Sequence, residues 1–228
     1  MKSVVIIPAA GMGKRMGDNR NKQYLPLNGR PILVHTLTPF EESNLVDSII
    51  LTVPAGDEDY CKKEVVDKFG IKKVTEILHG GKERQDSVRA GLYVLDSGVD
   101  FVIIHDGVRP FITPQMIADS IYGAENRGAC VVAVPAKDTI KEVSKDGLVL
   151  RTLERKNLWM VQTPQTFRYN IIKEAHDNAF ADGFLSTDDS ALVERLGHQV
   201  TIVQGSYENI KITTREDLKM AEASLIRL

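Results

Sequence analysis

Val4-Val5-Ile6-Ile7-Pro8-Ala9-Ala10-Gly11-Met12-Gly13-Lys14-Arg15-Met16-Gly17 opens the chain and decides how the rest is read. Val4 to Ile7 is a continuous β-branched run, the pattern of a strand buried on both faces. Three glycines and two cations then fall within seven residues, and Lys22 follows. Glycine lets backbone amides approach a bulky anion, and the cations neutralise what the amides cannot. The implied guest is a polyphosphate. Two familiar phosphate loops fail on spacing. A P-loop needs glycine five residues before its Gly-Lys pair and a hydroxyl after it, where this chain has Pro8 and Arg15. The dinucleotide fingerprint Gly-x-Gly-x-x-Gly is one residue shorter than Gly11, Gly13 and Gly17 allow. An ordinary strand-to-helix turn with solvated cations is the plain alternative.

The 228 residues suit one domain, and the charge of −2 is that of no strongly basic nucleic-acid binder or polybasic membrane protein. Cys61 and Cys130 are far apart without metal-ligand spacing, which predicts reduced thiols in a cytoplasmic protein. Lys2 before the apolar run superficially resembles a secretion signal. Pro8 and the cationic loop make it a strand and turn instead. No apolar run reaches the ~20 residues of a membrane span.

Apolar runs at Val4–Ile7, Ser48–Val53, Phe101–Ile104, Ala129–Val134 and Val200–Val203 alternate with helix-like segments. These are Pro31–Phe40, Glu58–Phe69, Arg84–Leu95, Pro114–Arg127 and Asp188–Leu196. A last helix starts at Thr214-Arg215-Glu216-Asp217, a hydroxyl cap with an acid three residues on. The alternation predicts an α/β fold: a mainly parallel twisted sheet with helices on both faces. Ligands of such sheets sit beyond the carboxyl ends of the strands, which gathers Ala9–Gly17, the residues after Val53, and His105–Pro110 on one edge. Residues 136–160 break the pattern. Asp138–Val143 and Leu148–Leu153 flank the polar turn Ser144–Gly147 and read as a protruding β-arm. The arm either folds onto its own domain or embraces a partner subunit.

Asp106, in His105-Asp106-Gly107-Val108-Arg109-Pro110, follows a strand and can hold a magnesium ion bridging phosphates, since Mg²⁺ keeps waters and needs few carboxylates. Arg109 orders that loop or pairs with phosphate. In Gly80-Gly81-Lys82-Glu83-Arg84-Gln85-Asp86-Ser87 the glycines admit a flat ring and the Ser87 hydroxyl can read a base edge; a plain turn and helix cap explains the same residues. Lys211 sits between apolar neighbours before the last helix. The five histidines have no metal spacing and read as structural, and Asp188 and Asp189 as helix-start acids explained by the dipole.

Together with Lys22-Gln23-Tyr24-Leu25-Pro26-Leu27, Lys137-Asp138-Thr139-Ile140-Lys141, Gln162-Thr163-Pro164-Gln165, Thr187-Asp188-Asp189 and Asn209-Ile210-Lys211, these motifs resemble the 2-C-methyl-D-erythritol 4-phosphate cytidylyltransferases in order and across nearly the whole chain. The resemblance implies a Rossmann-like nucleotidyltransferase fold and transfer of CMP from CTP to methylerythritol phosphate with release of pyrophosphate, in non-mevalonate isoprenoid synthesis. It assigns cytosine and ribose contacts to Ala9, Ala10, Gly81 and Ser87. The triphosphate falls to Gly11, Gly13, Lys14, Arg15 and Lys22, and the magnesium ion to Asp106. Arg15 and Lys22 would stabilise charge at the α-phosphorus. Arg155 and Lys211 would position the acceptor phosphate, with Thr139 and Arg155 supplied by the other subunit of a homodimer. Arg84, Arg109 and Thr163 join the substrate-binding candidates. Val108 stands where alanine is common in that family and would trim the pocket; Glu208 is left open as a second metal-shell acid. A ribitol-5-phosphate cytidylyltransferase shares several of these motifs. Gly107, Lys137 and Leu153-Glu154-Arg155-Lys156-Asn157-Leu158-Trp159 stand against it.

Overall fold

The order of elements in this computed structural model, which describes residues 1–11 and 21–225, follows from where β-branched runs give way to capped amphipathic segments. In chain order they are β1 (Ser3–Pro8), β2 (Pro26–Leu27), β3 (Arg30–Pro31), α1 (Ile32–Glu42), β4 (Ser48–Val53), and α2 (Glu58–Cys61, continuing as a π-helical stretch Lys62–Asp67). Next come β5 (Val74–His79), α3 (Arg84–Tyr93), β6 (Phe101–Ile104), α4 (Pro114–Arg127), β7 (Ala129–Pro135), β8 (Lys141–Val143) and β9 (Val149–Thr152). The chain ends with β10 (Trp159–Arg168), α5 (Tyr169–Ala181), α6 (Asp189–Arg195), β11 (Thr201–Gln204) and α7 (Arg215–Leu225).

Seven strands form one sheet in the order β11-β7-β10-β6-β1-β4-β5. β1 pairs in parallel with both β4 and β6, β4 with β5, and β7 with β11. Only β10 runs against its neighbours in this sheet, wedged between β6 and β7. Side chains of a strand alternate between faces, and β1 shows what that does to a wholly apolar run. Val5 and Ile7 pack with Leu33, Leu37 and Phe40 of α1 and Ile117 and Ile121 of α4. Val4 and Ile6 pack on the other side with Val88 and Leu92 of α3, Ile172 of α5 and Leu192 of α6. Both faces are therefore covered, as the runs predict.

α4 shows how the boundaries arise. Thr113 caps it by accepting the Met116 N–H, Pro114 takes the first helical position, and Gly128 ends it in the left-handed region at φ 87°. α7 starts on a reciprocal cap: the Thr214 hydroxyl accepts the Asp217 N–H, and the Asp217 carboxylate accepts those of Thr213 and Thr214.

A small third cluster matters for the site. Leu25, Leu27, Ile32, Val108, Ile212 and Ala221 are buried together, so the segment before α7 docks against the loops following β1 and β6. The Ile212 N–H donates to the Val108 carbonyl at 2.9 Å. Lys211 is thereby delivered to the edge where β1, β4 and β6 end. β8 and β9 form a separate hairpin standing away from this core. Its Val143, Leu148, Val149 and Leu150 are exposed, Leu148 at 68%. Folding of the arm onto its own domain is not what the structure shows.

Candidate active site

A crevice opens at the carboxyl ends of β1 and β6, where the fold class requires one. Ala9, Ala10, Gly11 and Lys22 form one wall, and Gly81, Arg84 and Ser87 another, with Asp106 and Lys211 also lining it. Residues more than 200 positions apart in sequence thus converge on one space. Gly13, Lys14 and Arg15, expected beside the triphosphate, lie outside the described residues.

Each wall has a local cause. The backbone after β1 is locked by the Ala9 N–H donating to the Thr52 carbonyl at 2.7 Å, and that after β5 by the Gly80 N–H donating to the Val53 carbonyl at 2.7 Å. These two bonds bring Ala10 and Gly80 so close that a Cβ on Gly80 would sit 2.2 Å from the Ala10 Cβ. A Cβ on Gly81 would sit 2.1 Å from that of Asp86. Both glycines are therefore demanded by the loop's own packing. Gly11 differs: among the described residues the nearest atom to its would-be Cβ is the Lys22 Cε at 3.8 Å, an ordinary van der Waals distance. α3 begins on a capping box of Glu83 and Asp86, so Ser87 is not the cap. Its hydroxyl accepts the Gly81 N–H at 3.1 Å and donates to the Glu83 carbonyl, shaping the loop from inside the crevice.

Asp106 is the electrostatic centre. It is 5% exposed and its carboxylate meets three cations. Arg84 Nε reaches Oδ1 at 2.9 Å, while Lys211 Nζ and Arg109 Nε approach Oδ2 at 2.9 and 3.4 Å. Burial alone would raise this carboxyl's pKa, but Arg84, Lys211 and Arg109 outweigh it and hold the group well below the usual carboxylate range. It is ionised at any physiological pH. Arg109 also donates to the Asn209 carbonyl at 2.7 Å, tying the loop after β6 to the segment carrying Lys211. Of the two roles open to Arg109 in sequence, ordering the loop is the one its contacts display.

Behind Asp106, His105 is wholly buried. Its Nδ1 meets the Thr163 hydroxyl at 3.1 Å and its Nε2 the Arg109 carbonyl at 3.1 Å. Burial lowers its pKa to about 4, so it is a neutral scaffold. Thr163 accepts the Asp106 N–H at 3.1 Å, so its hydroxyl is engaged in supporting the aspartate. Thr163 also lines a second depression that shares Arg84, Asp106 and Lys211 with the first and adds Arg109, Gln162, Gln165 and Thr187. The two depressions meet at Asp106, an arrangement for two anionic substrates facing each other across common charges.

Val108 lines the first crevice, where its bulk was expected to tell. Glu208 is exposed and lines neither depression. Thr139 and Arg155 also line neither; Arg155 is exposed and donates to the Lys137 carbonyl at 2.8 Å. Asp188 caps α6 as the dipole argument anticipates, accepting the Ala191 N–H at 3.0 Å. Its neighbour does more. Asp189 is 1% exposed and holds Arg84 Nη1 at 2.6 Å and His176 Nε2 at 3.0 Å. Two adjacent acids look equivalent in sequence; only the direction in which each side chain is buried separates them.

A family model described as 2-C-methyl-D-erythritol 4-phosphate cytidylyltransferase matches residues 3–227. A protein of that name from Geotalea uraniireducens is 54% identical over 99% of this chain and 97% of its own length. Another from Geobacter metallireducens is 51% identical over 98% and 97%. The crystal structure of 4-diphosphocytidyl-2C-methyl-D-erythritol synthase from Anaerococcus prevotii superposes with a TM-score of 0.88 at 34% identity, covering 99% of this chain and 96% of that one. The Thermus thermophilus cytidylyltransferase superposes at 0.81 with 32% identity over all of both chains. The chain belongs to the 2-C-methyl-D-erythritol 4-phosphate cytidylyltransferase family.

Proposed function

We propose that the crevice transfers CMP from CTP to 2-C-methyl-D-erythritol 4-phosphate, releasing pyrophosphate, in the formation of isoprenoid precursors. The observation that carries the residue-level reading is the meeting of a glycine-lined crevice and a polar depression at one ionised aspartate with three cations. CTP takes the first: its base and ribose lie against Ala9, Ala10, Gly81 and Ser87, and its phosphates beside Gly11 and Lys22. The acceptor takes the second, its phosphate drawn to Lys211 and Arg109. An oxygen of the acceptor phosphate forms a bond to the α-phosphorus as the bond to the β-bridging oxygen breaks. The nucleophile is already an anion, so no general base is needed. The difficulty is bringing two polyanions together, and fixed cations aimed at the crowded phosphorus lower that barrier more than they lower the ground state.

A divalent cation, magnesium in the first instance, belongs to this reading. The donor set fits it. Among the described residues no group of three or more His, Cys, Asp or Glu could hold a metal. One ionised carboxylate facing the phosphates is what Mg²⁺ ordinarily takes from a protein when phosphate oxygens and waters complete its shell. Asp106 is that carboxylate. The ion would supply charge neutralisation on the phosphates.

The arm supports a homodimer through residues 136–160. Val143, Leu148, Val149 and Leu150 are all exposed on the hairpin, an amount of apolar surface that isolated hairpins rarely leave to water. In this reading Thr139 and Arg155 complete the neighbouring subunit's acceptor site. Arg155→Ala is then expected to raise the acceptor KM steeply with little change in CTP affinity. A sharper check mixes Arg155→Ala with Lys22→Ala protein, each nearly inactive alone. If Arg155 acts across the dimer, random re-pairing restores one intact site in half of the dimers, about a quarter of wild-type activity. Recovery of none would place Arg155 in its own chain's site.

No described helix is long and apolar enough to cross a membrane. Cys61 and Cys130 are free and buried, with thiols that burial pushes up to about 12. Such inert, unpaired cysteines agree with a reducing cytoplasm, and the charge of −2 with substrates other than nucleic acid. Incubation with each nucleoside triphosphate, crossed with methylerythritol phosphate and ribitol phosphate, tests the whole reading by product mass. Product from CTP with methylerythritol phosphate is expected; product confined to ribitol phosphate would overturn it.

A further inference from the structure

Asp189 lines neither of the depressions that hold the substrates in this reading, yet it is the most buried carboxylate in direct contact with their charged walls. The connection runs through one guanidinium. Arg84, at the start of α3, gives its Nε to Asp106 Oδ1 at 2.9 Å and its Nη1 to Asp189 Oδ2 at 2.6 Å. Asp189 is steadied in turn by His176 of α5, whose Nε2 lies 3.0 Å from Oδ1. The other ring nitrogen of His176 is buried and has no hydrogen-bond partner. The ring's bond is therefore made at Nε2, which must donate, because an ionised carboxylate can only accept. Although burial opposes ionisation of Asp189, Arg84 and His176 outweigh it and keep its pKa low. Gln165 Oε1 accepts the Asp189 and Ser190 N–H groups, so the backbone that carries the acid is held as well.

We propose that Asp189, oriented by His176, is a positioning residue for cytidylyl transfer: it divides Arg84 between two carboxylates and so leaves Asp106 able to serve the divalent ion. Guanidinium and carboxylate left to themselves pair through two parallel N–H···O bonds. Arg84 so paired would cover both oxygens of Asp106. Asp189 takes one edge of the fork away, and Arg84 touches Asp106 through Nε alone. Asp189 also sets the charge balance. Three cations, Arg84, Arg109 and Lys211, face two carboxylates, Asp106 and Asp189. Loss of either acid leaves the cluster more positive and more hostile to a further cation. Release of Arg84 and loss of negative charge therefore act in the same direction. The proposal rests on the catalytic reading given above, and it adds a residue that meets no substrate.

Asp189→Asn keeps the shape of the side chain and removes its charge. Removing a partner that orients a metal ligand typically costs 10–100-fold in metal affinity. A weakening of roughly that size is expected in Mn²⁺ binding, read by water-proton relaxation with CTP present and acceptor absent. The Mg²⁺ concentration needed for half-maximal turnover should rise with it, while the KM for CTP at saturating metal moves little. A merely structural loss would lower the melting temperature without that selective change. The cycle with Arg84→Gln decides the route. If Asp189 acts chiefly through Arg84, Asp189→Asn adds much less in the Arg84→Gln background than it does alone, the remainder being its share of the charge balance; effects that multiply in full would overturn the proposal. So would Mn²⁺ affinity equal to wild type. Should Asp189→Asn not fold, His176→Phe and His176→Gln replace it. The first, lacking a donor toward Asp189, is expected to weaken Mn²⁺ binding severalfold. The second, which restores a donor, is expected to recover it; equal affinities in the two would refute the idea. Failure of the wild-type protein to make product from CTP would instead defeat the catalytic reading, because the relaxation measurement does not depend on turnover.

Discussion

Asp106→Asn is expected to lower kcat by on the order of 10²–10³, while CTP binding without divalent ion holds or becomes tighter. The two halves of that result have one cause. Asp106 is the internal counter-anion of Arg84, Lys211 and Arg109. Neutralising it frees three cations to pair with whatever anion enters, so a bare triphosphate gains partners. The same change removes the ionised ligand that a divalent cation needs among positive neighbours. Nucleotide then binds without being activated, and metal no longer improves the outcome. Stability should fall too. Removing one partner of a buried ion pair commonly costs about 3–5 kcal/mol, and the exposure of Lys211 and Arg84 to solvent reduces this to about 2 kcal/mol. For a chain of this size that is a melting temperature lower by roughly 4–8 °C, which leaves the protein folded at assay temperature. Isothermal titration with CTP, with and without Mg²⁺, checks the prediction beside steady-state pyrophosphate release. A variant that binds CTP poorly in both conditions would mean that Asp106 shapes the pocket rather than balancing its charge. Wild-type turnover would remove Asp106 from the chemistry.

How far the amino-acid sequence discloses this site depends on the kind of residue. The strands that carry it are legible because a parallel sheet covered on both faces needs unbroken apolar runs; Ser48–Val53 and Phe101–Ile104 are found at the bounds their patterns predict. β10 is not legible. Its middle, Gln162 to Thr166, carries Pro164 and no apolar run, a pattern that argues against a central strand, and its register shifts between Val161 and Gln165. Tertiary partners make it a strand. Thr166 donates to Ser120, and Gln165 reaches Asp188, so polar side chains are satisfied where apolar ones are usual. β5 escapes notice as an edge strand whose Thr75 and Glu76 face solvent. α5 does carry a signal: Ile172, Ala175, His176 and Ala179 are buried at helical spacing. Its existence could have been read, and its consequence for His176 could not. The glycines were half understood. Their value for admitting a ligand is a matter of residue type, whereas the contact between Gly80 and Ala10 arises only when the loops after β1 and β5 are brought together. Asp189 marks the limit. Its partners stand 105 positions before it and 13 positions before it, and nothing local announces either.

Lys22→Ala should be as damaging to turnover as the loss of Asp106, and for the opposite reason: it leaves the resting protein almost undisturbed. Lys22 begins a short 3₁₀ turn, Lys22–Tyr24, whose other two members are buried. The turn is fixed by the Tyr24 N–H donating to Asn21 at 2.9 Å and by the Asn21 amide donating to Asp57 at 2.7 Å. The backbone is thus held by its neighbours, and truncating a partly exposed lysine removes little burial. Its Cε passes within reach of Gly11, so the ammonium is carried along the wall assigned to the phosphates. A positive group there gains most when charge builds on the α-phosphorus and its leaving oxygen. Such selective stabilisation is worth on the order of 10²–10³ in kcat, about 3–4 kcal/mol. The KM for CTP is expected to change only a few-fold, because the base and ribose contacts remain, and the melting temperature to stay within about 2 °C. Lys22→Arg is expected to recover only part of the rate, since a planar fork does not replace a compact ammonium at a crowded phosphorus. Rapid quenching of a single turnover separates chemistry from release. If the chemical step in Lys22→Ala proceeds at the wild-type rate and only nucleotide affinity has fallen, Lys22 is a ground-state anchor, and the positive charge that drives transfer has to come from elsewhere in the crevice.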